Sequence, residues 1–314
     1  MTGSLRAYQV FVTVVEQQNI SKSAKLLNLS PSAVSKQLAL LEERLSTRLV
    51  DRSTRSVVVT DAGRAFYRDC REILRLSLEA EEKVKESHGA IQGDLTLSVP
   101  HVLLTSAFTR LLKKFRDANP NVKLNLQVSD EPVNLIEEQV DFAFRIGHLR
   151  DSRLKAVYLV DTTPLLCATP AFVEEHGFPA RMQDVDVENL LLPTYLNVGE
   201  KIRAMFPSQR VSAQLGNALE QCRGLTNSAQ ALYQMVRSDM GFAFLLDIMV
   251  AEDLIRGQLV QLLPDLKLPA QKVYMIFTKK DYSPKKEKAF IEFIKNNKQD
   301  LDSAAIELRE LAHQ

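Results

Sequence analysis

The chain has 314 residues, long for one hydrophobic core, and its 45% hydrophobic and 25% charged content suits a globular protein rather than a disordered or fibrous one. The longest apolar stretch, Met240 to Ala251, is too short to span a bilayer and carries Asp247; no basic start followed by an apolar run opens the chain, so the cytoplasm is the expected location. The net charge of +1 is unevenly spread: residues 1–60 hold eight Lys and Arg against four Asp and Glu, a surplus of +4 that the remainder offsets with −3.

Leu5, Tyr8, Phe11, Val12 and Val15 recur at helical spacing and predict a first helix over about 4–18. Ser21 suits the N-cap of a second helix with Ala24 and Leu27 turned inward, and Asn28 to Ser30 form a turn. Ser30 before Pro31 marks a third helix, because serine accepts orphan N–H bonds and proline is pre-set for the first helical position. There Val34, Leu38, Leu41 and Leu45 step along one buried face and leave Ser32, Ser35, Lys36 and Ala39 on the other. A helix held at a fixed angle to its predecessor can enter a DNA major groove. Leu49, Val57, Val58 and Val59 are strand formers around the polar, basic run Asp51 to Ser56, as in a two-stranded wing. Thr60-Asp61 can cap a long helix from Ala62 to about His88, in which Phe66, Cys70, Ile73, Ser77, Ala80 and Val84 approach a heptad seam. That seam suits pairing with a partner or packing on its own domain.

Gly89 to Asp94 reads as a linker, and an α/β pattern follows. Leu95 to Val99 is a strand, Thr105 to Ala118 a helix ending before Asn119-Pro120, Val122 to Val128 an alternating strand, Leu135 to Gln139 a helix and Phe142 to Ile146 a strand. This alternation predicts a parallel sheet with right-handed crossovers. The theme returns with Leu165 to Ala168, Pro170 to His176, Asn227 to Arg237, Gly241 to Leu245 and Val273 to Phe277, closing on an amphipathic helix from Lys285 to Asn296. Two sub-domains are expected, joined near Leu159–Pro164 and Leu266–Lys272.

Cys70, Cys167 and Cys222 form no CxxC pair and no bridge framework, which fits a reducing compartment. They read as buried thiols, with a redox-sensing role left open. His88, His101, His148, His176 and His313 have no metal-ligand spacing, and no GxSxG, GxGxxG or phosphate loop appears, so neither a cofactor nor an enzyme is expected.

The residues resemble the LysR-type transcriptional regulators over nearly the whole chain. The first stretch carries Leu5, Phe11, Val14, Glu16, Ser21, Ser23, Ala24 and Leu27, then the run Leu29-Ser30-Pro31-Ser32-Ala33-Val34-Ser35-Lys36-Gln37, then Leu41-Glu42, Arg44-Leu45, Arg48-Leu49, Arg52, Arg55 and Thr60-Asp61-Ala62-Gly63. Pro31, Lys36 and Ser46 depart from the commoner Gln, Arg and Gly, and Ser46 bears on the turn into the wing. Ser98-Val99-Pro100, Phe115 to Pro120, Asp141-Phe142-Ala143, Arg145-Ile146-Gly147, Asp151-Ser152, Ala168 to Phe172, His176-Gly177 and Gly257 to Val260 look like the family's effector domain.

The resemblance implies a fold class: a winged helix-turn-helix domain over 1–60, a linker and dimerisation helix over 61–90, and a periplasmic-binding-protein-like α/β body over 91–314. Within the body, sub-domain I would span about 91–162 and 267–298, and sub-domain II about 163–266. Ser32, Ser35, Lys36 and Gln37 would face the major groove, where Lys36 can bond guanine O6/N7. Ser21 and Ser23 would hold phosphates, and Arg52, Thr54 and Arg55 on the wing would lie along the backbone or in the minor groove. The effector cleft would be lined by Ser98, Pro100, His101, Thr105, Ser106 and Arg145, with Thr226, Asn227, Ser228 and Phe244 opposite, suiting a small, anionic ligand. Double-stranded DNA, a small-molecule effector, further copies of the chain in a dimer or tetramer, and RNA polymerase are the implied partners, with no membrane. The rival reading is a periplasmic-type binding protein without DNA-binding activity, against which the basic first 60 residues count.

Overall fold

The computed structural model describes residues 3–52, 57–85, 91–131, 133–147, 149, 154–179, 181–194, 221–279 and 283–311. The chain divides into two compact units, Met1–Ala90 and Ile91–Gln314.

The first unit runs α1 (Gly3–Gln17), α2 (Ile20–Leu26), α3 (Pro31–Leu45), β1 (Val50–Arg52), β2 (Val57–Val59) and α4 (Asp61–Lys85). Asn19, not Ser21, caps α2: its side chain accepts from Lys22 N–H, so the helix starts earlier than the serine suggests. Ser30 caps α3 as its chemistry dictates, accepting from Ala33 N–H at 3.1 Å. Val34, Leu38 and Leu41 join Phe11, Val14, Ala24 and Leu49 in a core, whereas Leu45 is exposed because the chain turns away at Ser46. Glu42 ties α3 to the wing, its Oε1 accepting from the N–H groups of Leu49 (2.9 Å) and Val50 (3.1 Å). The strands β1 and β2 pair antiparallel, Val50 opposite Val59. Thr60 then starts α4, its Oγ1 accepting from Gly63 N–H and donating toward Leu49 O. Gly63 is required there, since an added Cβ would lie 2.0 Å from Leu49 O.

The seam on α4 splits. Phe66 and Cys70 pack into the helix-turn-helix core, Phe66 against the rings of Tyr8 and Phe11. Further on, Ile73 (40% exposed) and Leu76 (51% exposed) face solvent in this chain.

The second unit contains β3 (Gly93–Val99), α5 (Ser106–Ala118), β4 (Val122–Val128), β5 (Phe142–Ile146), β6 (Leu154–Thr162), β7 (Pro164–Ala168), α6 (Pro170–His176), β8 (Leu191–Pro193), β9 (Gly224–Thr226), α7 (Ala229–Arg237), β10 (Ala243–Leu246), α8 (Asp247–Ile255), β11 (Val260–Leu262), β12 (Gln271–Thr278), α9 (Lys285–Asn297) and α10 (Ser303–Leu311). Its main sheet has the order β4-β3-β5-β12-β6, and a second sheet the order β10-β7-β11. The main sheet is mixed rather than all-parallel. β3 is parallel to β4 and β5, but β12 returns from the second sheet's side of the chain and lies antiparallel to both β5 and β6. Phe115 and Phe290 meet edge to face at 4.9 Å, as do Phe108 and Phe144, so α5 and α9 cover one face of this sheet. Leu135 to Gln139 makes a single turn rather than a helix: Val140 N–H donates to Leu135 O, and Gln139 takes φ +52°.

Candidate nucleic-acid interface and ligand cleft

On α3 the exposed face carries Ser32, Lys36 and Ala39, with Ser35 half-buried beside them. Ser32 Oγ lies 3.0 Å from Ser30 Oγ, so the cap and the first outward serine form one polar start to the helix. Gln37 turns partly inward, and its Oε1 is buried with no hydrogen-bond partner among the described residues. Ser21 is exposed in the first turn of α2. Ser23 is a correction: it is fully buried, and its hydroxyl donates to Asn19 O at 2.7 Å, so it fastens α2 to its own turn instead of a phosphate. Arg52 ends β1, but its side chain lies outside the described residues, as do Thr54 and Arg55. Behind this face, Tyr67 O–H donates to Glu16 Oε1 at 3.1 Å and receives Arg71 Nη1 at 3.1 Å, fixing α4 against α1.

In the body, the ends of the parallel strands bring Ser98, Pro100, His101 and Arg145 to one region. Ser98 and Pro100 are buried and His101 is half-buried. The Arg145 guanidinium donates to Ser98 Oγ (3.2 Å) and Phe144 O (2.7 Å), and among the described residues no carboxylate lies within ion-pair distance of it. Burial holds the Arg145 pKa below its ordinary value, while the more distant Glu138 and Asp130 pull it back up. Thr105 caps α5, accepting from Phe108 N–H. Ser228 caps α7, accepting from Ala231 N–H, and Thr226 Oγ1 accepts from Ser228 N–H. Asn227 is exposed. Phe244 is brought elsewhere: its side chain packs with the core of Leu166, Phe172 and Phe242, since alternate residues of β10 face opposite sides.

Three acids not singled out by sequence tie these segments together. Asp130, after β4, accepts from His101 N–H (2.9 Å) and from Ala229 N–H (3.3 Å) and sits 3.1 Å from His101 Nδ1. Glu252 on α8 accepts from the Ser106 hydroxyl and faces Arg110 at 3.7 Å. Asp247 is buried at the crossing between the sheets, accepting from Thr162 Oγ1 (2.6 Å) and from the N–H groups of Thr163 and Ile248. Apart from Ile248, next to Asp247 in the chain, the partners named here stand 29 to 146 positions away in sequence, and the one available signal was an acid at a strand end or helix start.

Burial pushes the thiols of Cys70, up to about 12, and Cys167 well above the usual range, so both are held protonated in the core. No described helix is long and apolar enough to cross a membrane.

Residues 5–64 match the model of the bacterial regulatory helix-turn-helix protein, lysR family, and residues 88–299 match the LysR substrate binding domain. The HTH-type transcriptional regulator CrgA of Neisseria meningitidis serogroup C is 30% identical over 82% of this chain and 84% of its own length. The solved structure of CrgA, described as a LysR-type regulator from N. meningitidis, is 27% identical, with a TM-score of 0.58 over 94% of this chain and 98% of that one. Full-length CbnR, solved in complex with its target DNA, shares the fold at a TM-score of 0.65 and 20% identity over 94% of this chain and 99% of its own. The amino-terminal match leaves no support for a binding protein without a DNA-binding domain. With both models matched in sequence order and an α/β body following the helix-turn-helix in the chain, the chain belongs to the LysR-type transcriptional regulators, with a DNA-binding domain and an effector-binding domain.

Proposed function

We propose that this regulator reads DNA through Ser32, Ser35 and Lys36, and that a small anion held by Arg145 in the cleft changes its grip on a promoter. The observation that carries the ligand class is Arg145 itself. A half-buried guanidinium, bonded to a hydroxyl and a carbonyl and unmatched by any described carboxylate, favours a ligand that brings a negative charge. Gln37 flanks the reading face, Ser21 serves a phosphate, and Arg52, Thr54 and Arg55 follow the DNA backbone or minor groove. Ser98, Pro100 and His101 wall the ligand site from sub-domain I, with Thr105 and Ser106 at the start of α5; Thr226, Asn227 and Ser228 stand opposite. Ile73 and Leu76 on α4 pair two copies of the chain, presenting two reading helices to half-sites about one helical turn apart. Two such dimers form a tetramer, and RNA polymerase is a partner at the promoter in the cytoplasm. The reading assigns no catalytic step to the chain.

A thermal-shift comparison tests the ligand class, since a ligand bound only by the folded state raises apparent stability. Small carboxylates such as benzoate and succinate are expected to raise the unfolding temperature where their neutral amides do not, and Arg145→Met is expected to abolish the rise. Equal shifts for carboxylates and amides would remove the anion from the account.

A further inference from the structure

Two helix starts in the body have the chemistry to receive an anion: α5 at Ser106 and α7 at Ala229. Each is already met by a carboxylate of the protein, and each carboxylate crosses between sub-domains. Asp130 follows β4 of the main sheet and reaches Ala229 N–H of α7. Glu252 lies on α8, behind the second sheet, and reaches back to the Ser106 hydroxyl of α5. The exchange is reciprocal: the side of the main sheet lends Asp130 to the other side's helix, and receives Glu252 on its own.

We infer that Asp130 and Glu252 form a pair of latches that hold the two sub-domains closed on one another. Asp130 is anchored on its own side by His101, through the backbone N–H at 2.9 Å and the ring Nδ1 at 3.1 Å. Its side chain is only 11% exposed, so its bond to Ala229 runs through a largely water-excluded site where a charged acceptor is strong. Glu252 is steadied by Arg110 at 3.7 Å and by Arg256 at 3.3 Å. Between the latches, Val102 and Leu103 share one apolar cluster with Ala229 and Ile248, which makes the closed contact cooperative. Asp247 fixes the crossing at Thr162 and Thr163 by separate bonds and is no part of the latch.

For the cleft this supplies regulation and rests on the effector reading above: an anion entering between the sub-domains meets helix starts already occupied, and it gains access by displacing the chain's own carboxylates. The closed state is thus held from within until a ligand competes for it.

Amide hydrogen exchange of the full-length chain, without added ligand, tests the latch in the wild type, Asp130→Asn, Glu252→Gln and the double variant. Both substitutions keep size and remove charge, and unchanged exchange in the main-sheet strands β5 and β12 reports that the body is still folded. Asp130→Asn is expected to speed exchange about tenfold at residues 101–103 and 229–231, and also at 106–109 beside the other latch. Glu252→Gln is expected to speed the same three stretches. Acceleration confined to each variant's own contact, or no acceleration, would make these independent surface bonds and overturn the proposal. Because no ligand is present, a result against the latch leaves the anion reading to its own thermal-shift test.

Discussion

Ser46 takes φ 49° and ψ 32° at the end of α3, a left-handed conformation in which a Cβ costs about 1–2 kcal/mol. The resemblance marked this serine as standing where glycine is usual, and the turn into the wing is made regardless, at that cost. Ser46→Gly is expected to stabilise the chain by about 1 kcal/mol in denaturant unfolding. Gly63 presents the reverse case. Gly63→Ala drives a Cβ into Leu49 O and is expected to cost about 1–3 kcal/mol; an unchanged midpoint would show that the start of α4 shifts freely. Cys70 and Cys167 are expected to resist iodoacetamide in the folded chain at pH 8, because burial raises their thiols and excludes the reagent. Labelling of either in mass spectrometry of native protein would contradict this. At this scale the cap of α3 was legible, because Ser30 satisfies a donor three residues away and that chemistry is local, whereas the cap read at Ser21 belongs to Asn19. Asp130 and Glu252 were not, because an acid declares its purpose only when a distant strand or helix is folded against it.

The element that carries most consequence is the join between α3 and the wing. Glu42 holds two backbone N–H groups at the start of β1, so α3 and the strands move as one body. Glu42→Ala leaves both donors without this acceptor and is expected to cost about 1–3 kcal/mol while loosening the wing, seen as faster amide exchange at Leu49 and Val50. On α4 the heptad-like spacing was read correctly as apolar and ambiguously as to partner, and the structure divides it: Phe66 and Cys70 inward, Ile73 and Leu76 outward. Replacing Ile73 and Leu76 together by Glu is expected to yield monomers in sedimentation, and dimers persisting would place the interface elsewhere. Helix α8 escaped prediction because the run from Met240 to Ala251 is apolar apart from Asp247, and such a run does not distinguish strand from helix. The turn at 135–139 was overread, since one buried leucine cannot sustain a helix whose next apolar residue, Ile136, faces solvent.

For the whole molecule, alternating strands and helices announced an α/β body, but the mixed order β4-β3-β5-β12-β6 depends on where a strand 125 positions after β5 returns. Register of that kind is set by non-local pairing, to which periodicity is blind. The basic surplus of the first 60 residues fits the helix-turn-helix domain that the family match covers there. The most direct test of the account is equilibrium binding of the full-length chain to a labelled duplex from the region upstream of its own gene and to a random duplex, at one salt concentration. The cognate duplex is expected to bind at least about a thousandfold more tightly. Lys36→Ala is expected to weaken cognate binding by about 1–3 kcal/mol while largely sparing the random duplex. Equal wild-type affinity for both duplexes, or an equal loss on both in the variant, would contradict sequence reading by this face of α3.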